Sequence, residues 1–232
     1  MKVFKIRDKI IGVEGNPYII AEIGQAHDGS LGMAHVYMEA VAKAGADAVK
    51  FQIIDPDRLV ADRKQKFDFE ILVNRESGET RKTSAPLYDL LKSRSLEKQQ
   101  WKELKSYADE LDLAFFATVG FEDEVEFLED LGCQSIKIAS ADLNHVPLLR
   151  LAAQSGMVIQ LDTGSASLGE VESAMNIIEQ AGSSKVIIHQ CPSGYPAYLE
   201  SINLNMITTL KSMFSCPIAF SDHSPGWDMD IA

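Results

Sequence analysis

Short apolar runs recur along this chain, each ending on polar residues and followed by a turn and a stretch of helical spacing. In the first, Tyr18-Ile19-Ile20-Ala21-Glu22-Ile23, a buried strand carries a carboxylate near its end. A glycine-bounded turn holding His27 and Asp28 follows, and Ser30 opens an amphipathic helix over 30–44. Met33, Tyr37, Ala40, Val41 and Ala44 fall along one face of that helix, and Gly45 stops it. A second strand over 46–53 turns Lys50 and Gln52 to the same side. Residues 55–95 then break the rhythm. Rich in Asp, Arg, Lys, Ser and Glu, they read as a long, partly helical lid.

From Ser95 the alternation resumes. Trp101, Leu104, Ala108 and Leu111 mark a helix before a strand over 113–118. Val125, Leu128 and Leu131 mark another, stopped by Gly132 before a strand over 135–140. A helix near 144–155, a strand over 157–162, and a helix opened by the capping-box pair Ser167 and Glu170 follow. Strands over 186–190 and 217–222 flank a helix near 201–214. Ahead of all this, residues 1–16 alternate like a small hairpin.

Seven strands in strict alternation with helices predict a parallel sheet and an α/β fold. No glycine-rich phosphate fingerprint follows the first strand, which disfavours the doubly wound open sheet. The expectation is a TIM-type (β/α) barrel, a fold that typically takes about 250 residues. The sequence stops soon after the seventh strand, so residues 1–232 are expected to form one C-terminally incomplete barrel domain lacking its eighth strand.

Composition narrows the partners. A net charge of -12 repels nucleic acid and anionic membranes, although a few local lysines can still make a pocket for a small anion. Cys133, Cys191 and Cys216 are scattered, with no CxxC pair, so neither a zinc ribbon nor a disulfide framework is expected. No apolar stretch is long enough to span a membrane and the first residues contain no signal-peptide core, which predicts a cytoplasmic protein.

The polar residues collect at strand ends: Glu22, Lys50, Gln52, Thr118, Lys137, Ser140, Asp162, Thr163, Gln190, and Ser221-Asp222-His223. On a barrel these converge on one mouth. Two lysines among hydroxyls suit a phosphate or carboxylate. His223 is the best metal-ligand candidate, since imidazole is a common ligand of divalent transition metals; a lone histidine, however, is more often a hydrogen-bonded structural residue. His189, inside an apolar run, reads by default as a packed or paired core residue. His27 is open to three readings: ligand, substrate contact or loop brace.

The segments Ile19-Ile20-Ala21-Glu22-Ile23-Gly24 with His27-Asp28-Gly29-Ser30, Ala44-Gly45-Ala46-Asp47-Ala48-Val49-Lys50-Phe51-Gln52, Lys137-Ile138-Ala139-Ser140, Cys191-Pro192-Ser193-Gly194-Tyr195-Pro196, Asn203-Leu204-Asn205 and Phe220-Ser221-Asp222-His223-Ser224 together resemble the sialic acid synthase family. Each motif is weak singly; their order and spacing over residues 18–228 are specific. The resemblance implies a (β/α)₈ barrel with a small C-terminal antifreeze-like domain, absent here, and a domain-swapped homodimer. It implies that Lys50, Thr118, Lys137, Ser140, Ser193, Tyr195 and Ser221 bind phosphoenolpyruvate, and that Glu22 and Gln52 face an N-acylated amino sugar. His223 would be one of two histidines holding a divalent metal, manganese or magnesium. Glu22, Lys50, Lys137 and His223 would form the catalytic set.

The implied chemistry is attack by C3 of phosphoenolpyruvate on the open-chain aldehyde of an N-acylmannosamine-type sugar, polarised by the metal, with phosphate leaving by C–O cleavage. Three departures from the family pattern bear on the identity of the substrate: Ala26 before the first-loop histidine, Gln190 before the cysteine, and Val119-Gly120 after the threonine. Two other readings compete. One is a phosphoenolpyruvate-dependent aldol-type synthase acting on an aldose phosphate. The other is a non-catalytic barrel remnant that binds a sugar or a partner protein. With half a metal site and an open barrel, this chain alone is expected to have little or no synthase activity.

Overall fold

The structure is a computed structural model and describes residues 3–12, 17–74 and 77–224. Part of the expected hairpin, residues 13–16, and everything after Ser224 lie outside the described residues.

The chain opens with an antiparallel ribbon, β1 (Phe4–Ile6) and β2 (Lys9–Ile11). β3 (Ile20–Gly24) leads to α1 (Leu31–Ala44), and β4 (Ala48–Gln52) leads into the long insertion. That insertion holds α2 (Pro56–Leu59), β5 (Lys66–Asn74), β6 (Glu79–Pro86) and α3 (Leu87–Arg94). The alternation continues through α4 (Lys98–Glu110), β7 (Ala114–Val119), α5 (Glu122–Asp130), β8 (Ser135–Ile138), α6 (Val146–Gln154) and β9 (Val158–Asp162). It ends with α7 (Leu168–Gln180), β10 (Val186–Gln190), α8 (Asn205–Met213) and β11 (Ile218–Phe220).

Strands β3, β4 and β7 to β11 pair in parallel, in chain order, as one seven-stranded sheet. The sheet is strongly curled. Lys137 on β8 lies 3.2 Å from Ser221 just past β11, whereas three strand spacings in a flat sheet amount to roughly 14 Å. Curling separates two cores. Val49, Phe51, Phe115, Ala117, Ile136, Ile138, Ile159, Leu161 and Ile188 point outward to the helices, where Met38, Trp101, Leu104, Leu128 and Leu148 meet them. Ala48, Ala114, Phe116, Val158 and Ile187 point inward and are plugged from one end by Ile6 and Ile11 of the ribbon. The described residues therefore build a curled, helix-covered part-barrel of TIM-like design.

One expectation needs correction and another needs completing. The buried face of α1 is Ala34 and Met38, while Met33 is exposed. Apolar residues occur nearly all round this helix, and the sheet accepts the face with the small residue, which lets the backbone approach closely. The insertion is partly helical as expected, through α2 and α3, but it also holds strands that were not anticipated. It is built on the β5–β6 antiparallel ribbon, in which Phe67, Phe69 and Ile71 alternate with Lys66, Asp68 and Glu70. Among the described residues, no helix is long and apolar enough to cross a membrane.

Leu104 is fully buried where α4 meets the sheet, and Val36 is exposed on α1. Leu104→Ala should cost about 3 kcal/mol, and Val36→Ala should stay within about 0.5 kcal/mol of the parent. Urea unfolding, read as a midpoint shift at unchanged slope, checks both.

Candidate active site

Side chains alternate along a strand, so the inward core residues dictate which neighbours enter the barrel mouth. Two positions beyond Ala48, Phe116, Ile187 and Ala219 come Lys50, Thr118, His189 and Ser221. By the same parity Val158 leads through Gln160 to Asp162, Ser135 to Lys137, and Ile20 to Glu22. Strand register sets Glu22 opposite Lys50, Thr118 opposite Lys137, and Asp162 opposite His189. The C-terminal ends of all seven strands thus contribute to one polar cup, the end at which barrel enzymes carry their chemistry.

The cup has two halves. In the first, the Lys50 ammonium contacts the Glu22 carboxylate and donates to Thr118 Oγ1 at 3.5 Å. Gln52 Nε2 donates to Glu22 Oε1 at 3.4 Å, and Gln25 Nε2 donates to Gln52 Oε1 at 3.3 Å. Gly24, at φ 53, sits on a bulge in β3. A Cβ there would stand 2.9 Å from Glu22 Oε1, so glycine keeps the carboxylate in place. Burial first, and the Lys137 charge second, lower the Lys50 pKa to about 7 against the opposing pull of Asp162 and Cys191.

In the second half, Lys137 Nζ lies 2.5 Å from Asp162 Oδ1, both almost fully buried. The Ser221 hydroxyl donates to Asp162 Oδ1 at 2.7 Å and accepts from Lys137 at 3.2 Å. His189 Nδ1 is 3.2 Å from Ser221 Oγ. The single Ser221 proton is directed at Asp162, so Nδ1 is the donor in that contact and Nε2 carries the lone pair. Nε2 is buried and has no partner. Burial alone would raise the Asp162 pKa, but the Lys137 charge, His189 and the hydrogen bonds outweigh it and hold the carboxyl below its ordinary value. Burial, then Lys137, keeps His189 well below the usual imidazole range and hence neutral.

Above the cup, Ser140 Oγ accepts from the Gly164 amide at 2.8 Å, and the Ser165 and Ser193 hydroxyls meet at 2.6 Å. The exposed Tyr195 ring lies against His223, tilted by 32°, with centroids 3.9 Å apart. His223 Nδ1 lies 3.0 Å from the Pro192 carbonyl. A carbonyl only accepts, so the proton is on Nδ1 and the Nε2 lone pair is free, the arrangement a metal-binding histidine uses. Burial lowers its pKa and preserves that neutral form. Among the described residues no group of three potential ligands gathers around it, so one ligand of a metal site fits and a complete nest is not assembled there. His27, 1% exposed, accepts the Gly29 amide through Nδ1 at 3.1 Å and packs on Phe51; it braces the first loop.

The structure therefore brings Glu22, Lys50, Gln52, Thr118, Lys137, Ser140, Ser193, Tyr195, Ser221 and His223 to one end of the barrel. It departs from the simple basic cup in one respect: each lysine already has a carboxylate partner. Sequence reasoning placed Asp162 at a strand end without assigning it a role and left His189 to the core. The period of two carries both inward, which was the available signal.

A curled parallel sheet whose strand ends gather lysines, carboxylates and hydroxyls around one hollow is the active-site layout of a (β/α)-barrel enzyme. Residues 37–232 match the NeuB family, and the chain belongs to it. It is 32% identical over 225 residues to the spore coat polysaccharide biosynthesis protein SpsE of Bacillus subtilis, covering 97% of this chain and 58% of that one. To the N,N'-diacetyllegionaminic acid synthase of Campylobacter jejuni it is 30% identical over 216 residues, covering 92% and 63%. The crystal structure of N-acetylneuraminic acid (sialic acid) synthetase from Leptospira borgpetersenii superposes with a TM-score of 0.84 at 30% identity, over 98% of this chain and 72% of that one. The chain thus spans about three fifths of the length of these two curated relatives.

Removing one partner of a buried ion pair leaves the other uncompensated, so Asp162→Asn should destabilise the fold by about 3 kcal/mol at neutral pH. The Asp162 pKa is depressed in the fold, so its stabilisation is present above the unfolded value of about 4 and is lost as pH falls through the folded one. The variant should accordingly show a shallower acid-side loss of stability, measured by urea unfolding across pH.

Proposed function

We propose that the cup takes phosphoenolpyruvate and that the protein acts as a sugar acid synthase, joining it to an N-acylmannosamine-type amino sugar to give a nonulosonic acid and phosphate. The observation that carries this reading is the pair of buried lysines, Lys50 and Lys137, facing one hollow among the hydroxyls of Thr118 and Ser221. Membership of the NeuB family, with relatives named for sialic, legionaminic and pseudaminic acid synthesis, supports it.

In this reading C3 of phosphoenolpyruvate forms the new bond to the sugar aldehyde carbon, water adds at C2, and the C2–O bond breaks to release phosphate. Lys50, Lys137, Thr118, Ser140, Ser193 and Ser221 orient the enolpyruvyl phosphate, with Tyr195 closing the rim. The two ammonium groups are positioned by the strands before substrate arrives, so their charge is in place to stabilise developing negative charge. Glu22, tethered by Gln52, offers acceptor oxygens to the hydroxyls of the sugar. His223 would hold a divalent ion, manganese or magnesium, through Nε2. Such an ion supplies Lewis acidity toward a carbonyl oxygen.

Binding is testable on this chain independently of turnover. Phosphoenolpyruvate should bind by calorimetry, and Lys137→Met should weaken it at least about tenfold, as expected for losing a charge-assisted contact. Affinity should fall as pH rises through about 7, where Lys50 gives up its proton. Equal binding by parent and Lys137→Met would place the ligand elsewhere. On the whole protein, phosphate release with N-acetylmannosamine, its 6-phosphate or arabinose 5-phosphate as acceptor separates the amino-sugar reading from the aldose-phosphate one.

A further inference from the structure

We infer that Asp162 is a specificity-determining residue: its carboxylate holds the donors that an incoming anion needs, so the cup admits an anion only together with a proton. The inference rests on the phosphoenolpyruvate reading and deepens it. The Ser221 hydrogen is directed at Asp162, and Lys137 divides its donors between Asp162 and Ser221. An anion reaching for these groups meets a carboxylate already seated on them. The charges also balance before any ligand arrives, Lys50 and Lys137 against Glu22 and Asp162. A dianion would add uncompensated negative charge to a buried site, and such charge is strongly disfavoured without neutralisation.

The charged and titratable groups facing Asp162 are Lys137 from β8, His189 from β10, Lys50 from β4, Cys191 just past β10, and Tyr195 and His223 on the rim. Among them the hydrogen-bonded unit Asp162–Ser221–His189 can take up a proton and lose one negative charge without any strand moving. Anion binding is then linked to uptake of about one proton, and affinity climbs about tenfold for each pH unit of acidification while that linkage holds.

The test is calorimetric titration with sulfate, a tetrahedral dianion whose own charge is constant over the range, in two buffers of different ionisation enthalpy. Near pH 6, roughly one unit below the Lys50 pKa of about 7, Lys50 is already largely charged and contributes little to the uptake. The parent should take up about one proton per sulfate. Asp162→Asn should take up close to none and bind sulfate at least about tenfold more tightly, and phosphoenolpyruvate should displace the sulfate in both. Should the variant fail to fold, the parent's proton count decides by itself. No uptake by the parent, or no gain in affinity in a folded variant, overturns the inference and leaves the phosphoenolpyruvate reading standing. Absence of any sulfate or phosphoenolpyruvate binding by either protein overturns both.

Discussion

The Lys137–Asp162 ion pair is the contact on which the geometry of the mouth turns. Neither charge could stand alone at that depth, because an isolated buried ion loses its hydration without replacement. The pair links β8 to β9, and Ser221 brings in β11 from the far edge of the described sheet. The neighbours β8 and β9 and the more distant β11, two strands beyond β9, are thus pinned to one point. The contact that neutralises the charges also fixes the curvature that gathers the remaining strand ends into a cup.

Alternation along the strands keeps this polar centre from disturbing the core. On β8 the outward Ile136 and Ile138 pack under the helices while Ser135 and Lys137 point into the barrel. On β9, Ile159 and Leu161 pack outward while Val158, Gln160 and Asp162 point in. Gln160 and Ser135 form a middle layer, with Gln160 Nε2 donating to Ser135 Oγ at 2.9 Å and Ser135 donating to the Val158 carbonyl at 2.8 Å. Below them the apolar inner residues close against Ile6 and Ile11. Polarity therefore rises along the barrel axis, from a sealed apolar floor to a charged mouth.

Much of this was legible in the sequence because strand ends and helix faces carry local signals. The seven strand positions and the α4 face of Trp101, Leu104 and Ala108 follow from periodicity, the Ser167–Glu170 capping box follows from a local motif, and the structure has them all. Where local signals conflict, the reading failed. Helix α1 is apolar on most sides, so only contact with the sheet selects Ala34 and Met38. In the insertion, the alternation of Phe67, Phe69 and Ile71 was masked by the surrounding charges. The pairing of Asp162 with Lys137, and of His189 with Ser221, depends on register between strands that a whole helix separates in sequence. A period of two shows which side a residue faces, but not which residue stands opposite.

The two halves of the cup are consequently held by different means. The Lys137 half is fastened by the sheet itself. The Glu22 half lies on an edge strand of the described sheet and leans on the first loop, which packs in turn against the insertion. Arg94 at the end of α3 reaches Asp28 at 2.9 Å, but both groups are solvent-accessible, and such a pair contributes at most about 1 kcal/mol. The closer attachment is steric: Gly29 lies so tightly against the Ser93 carbonyl that any Cβ would collide with it. Ser95 Oγ also donates to the Ile54 carbonyl at 3.3 Å, tying α3 back to the end of β4 beyond Gln52. The insertion is therefore part of what positions the acceptor side of the site, although none of its own residues enters the cup's hydrogen-bond network among the described residues. A change in its length or packing would act first on Glu22 and Gln52, which face the proposed sugar, and only afterwards on the lysines, which face the proposed phosphate.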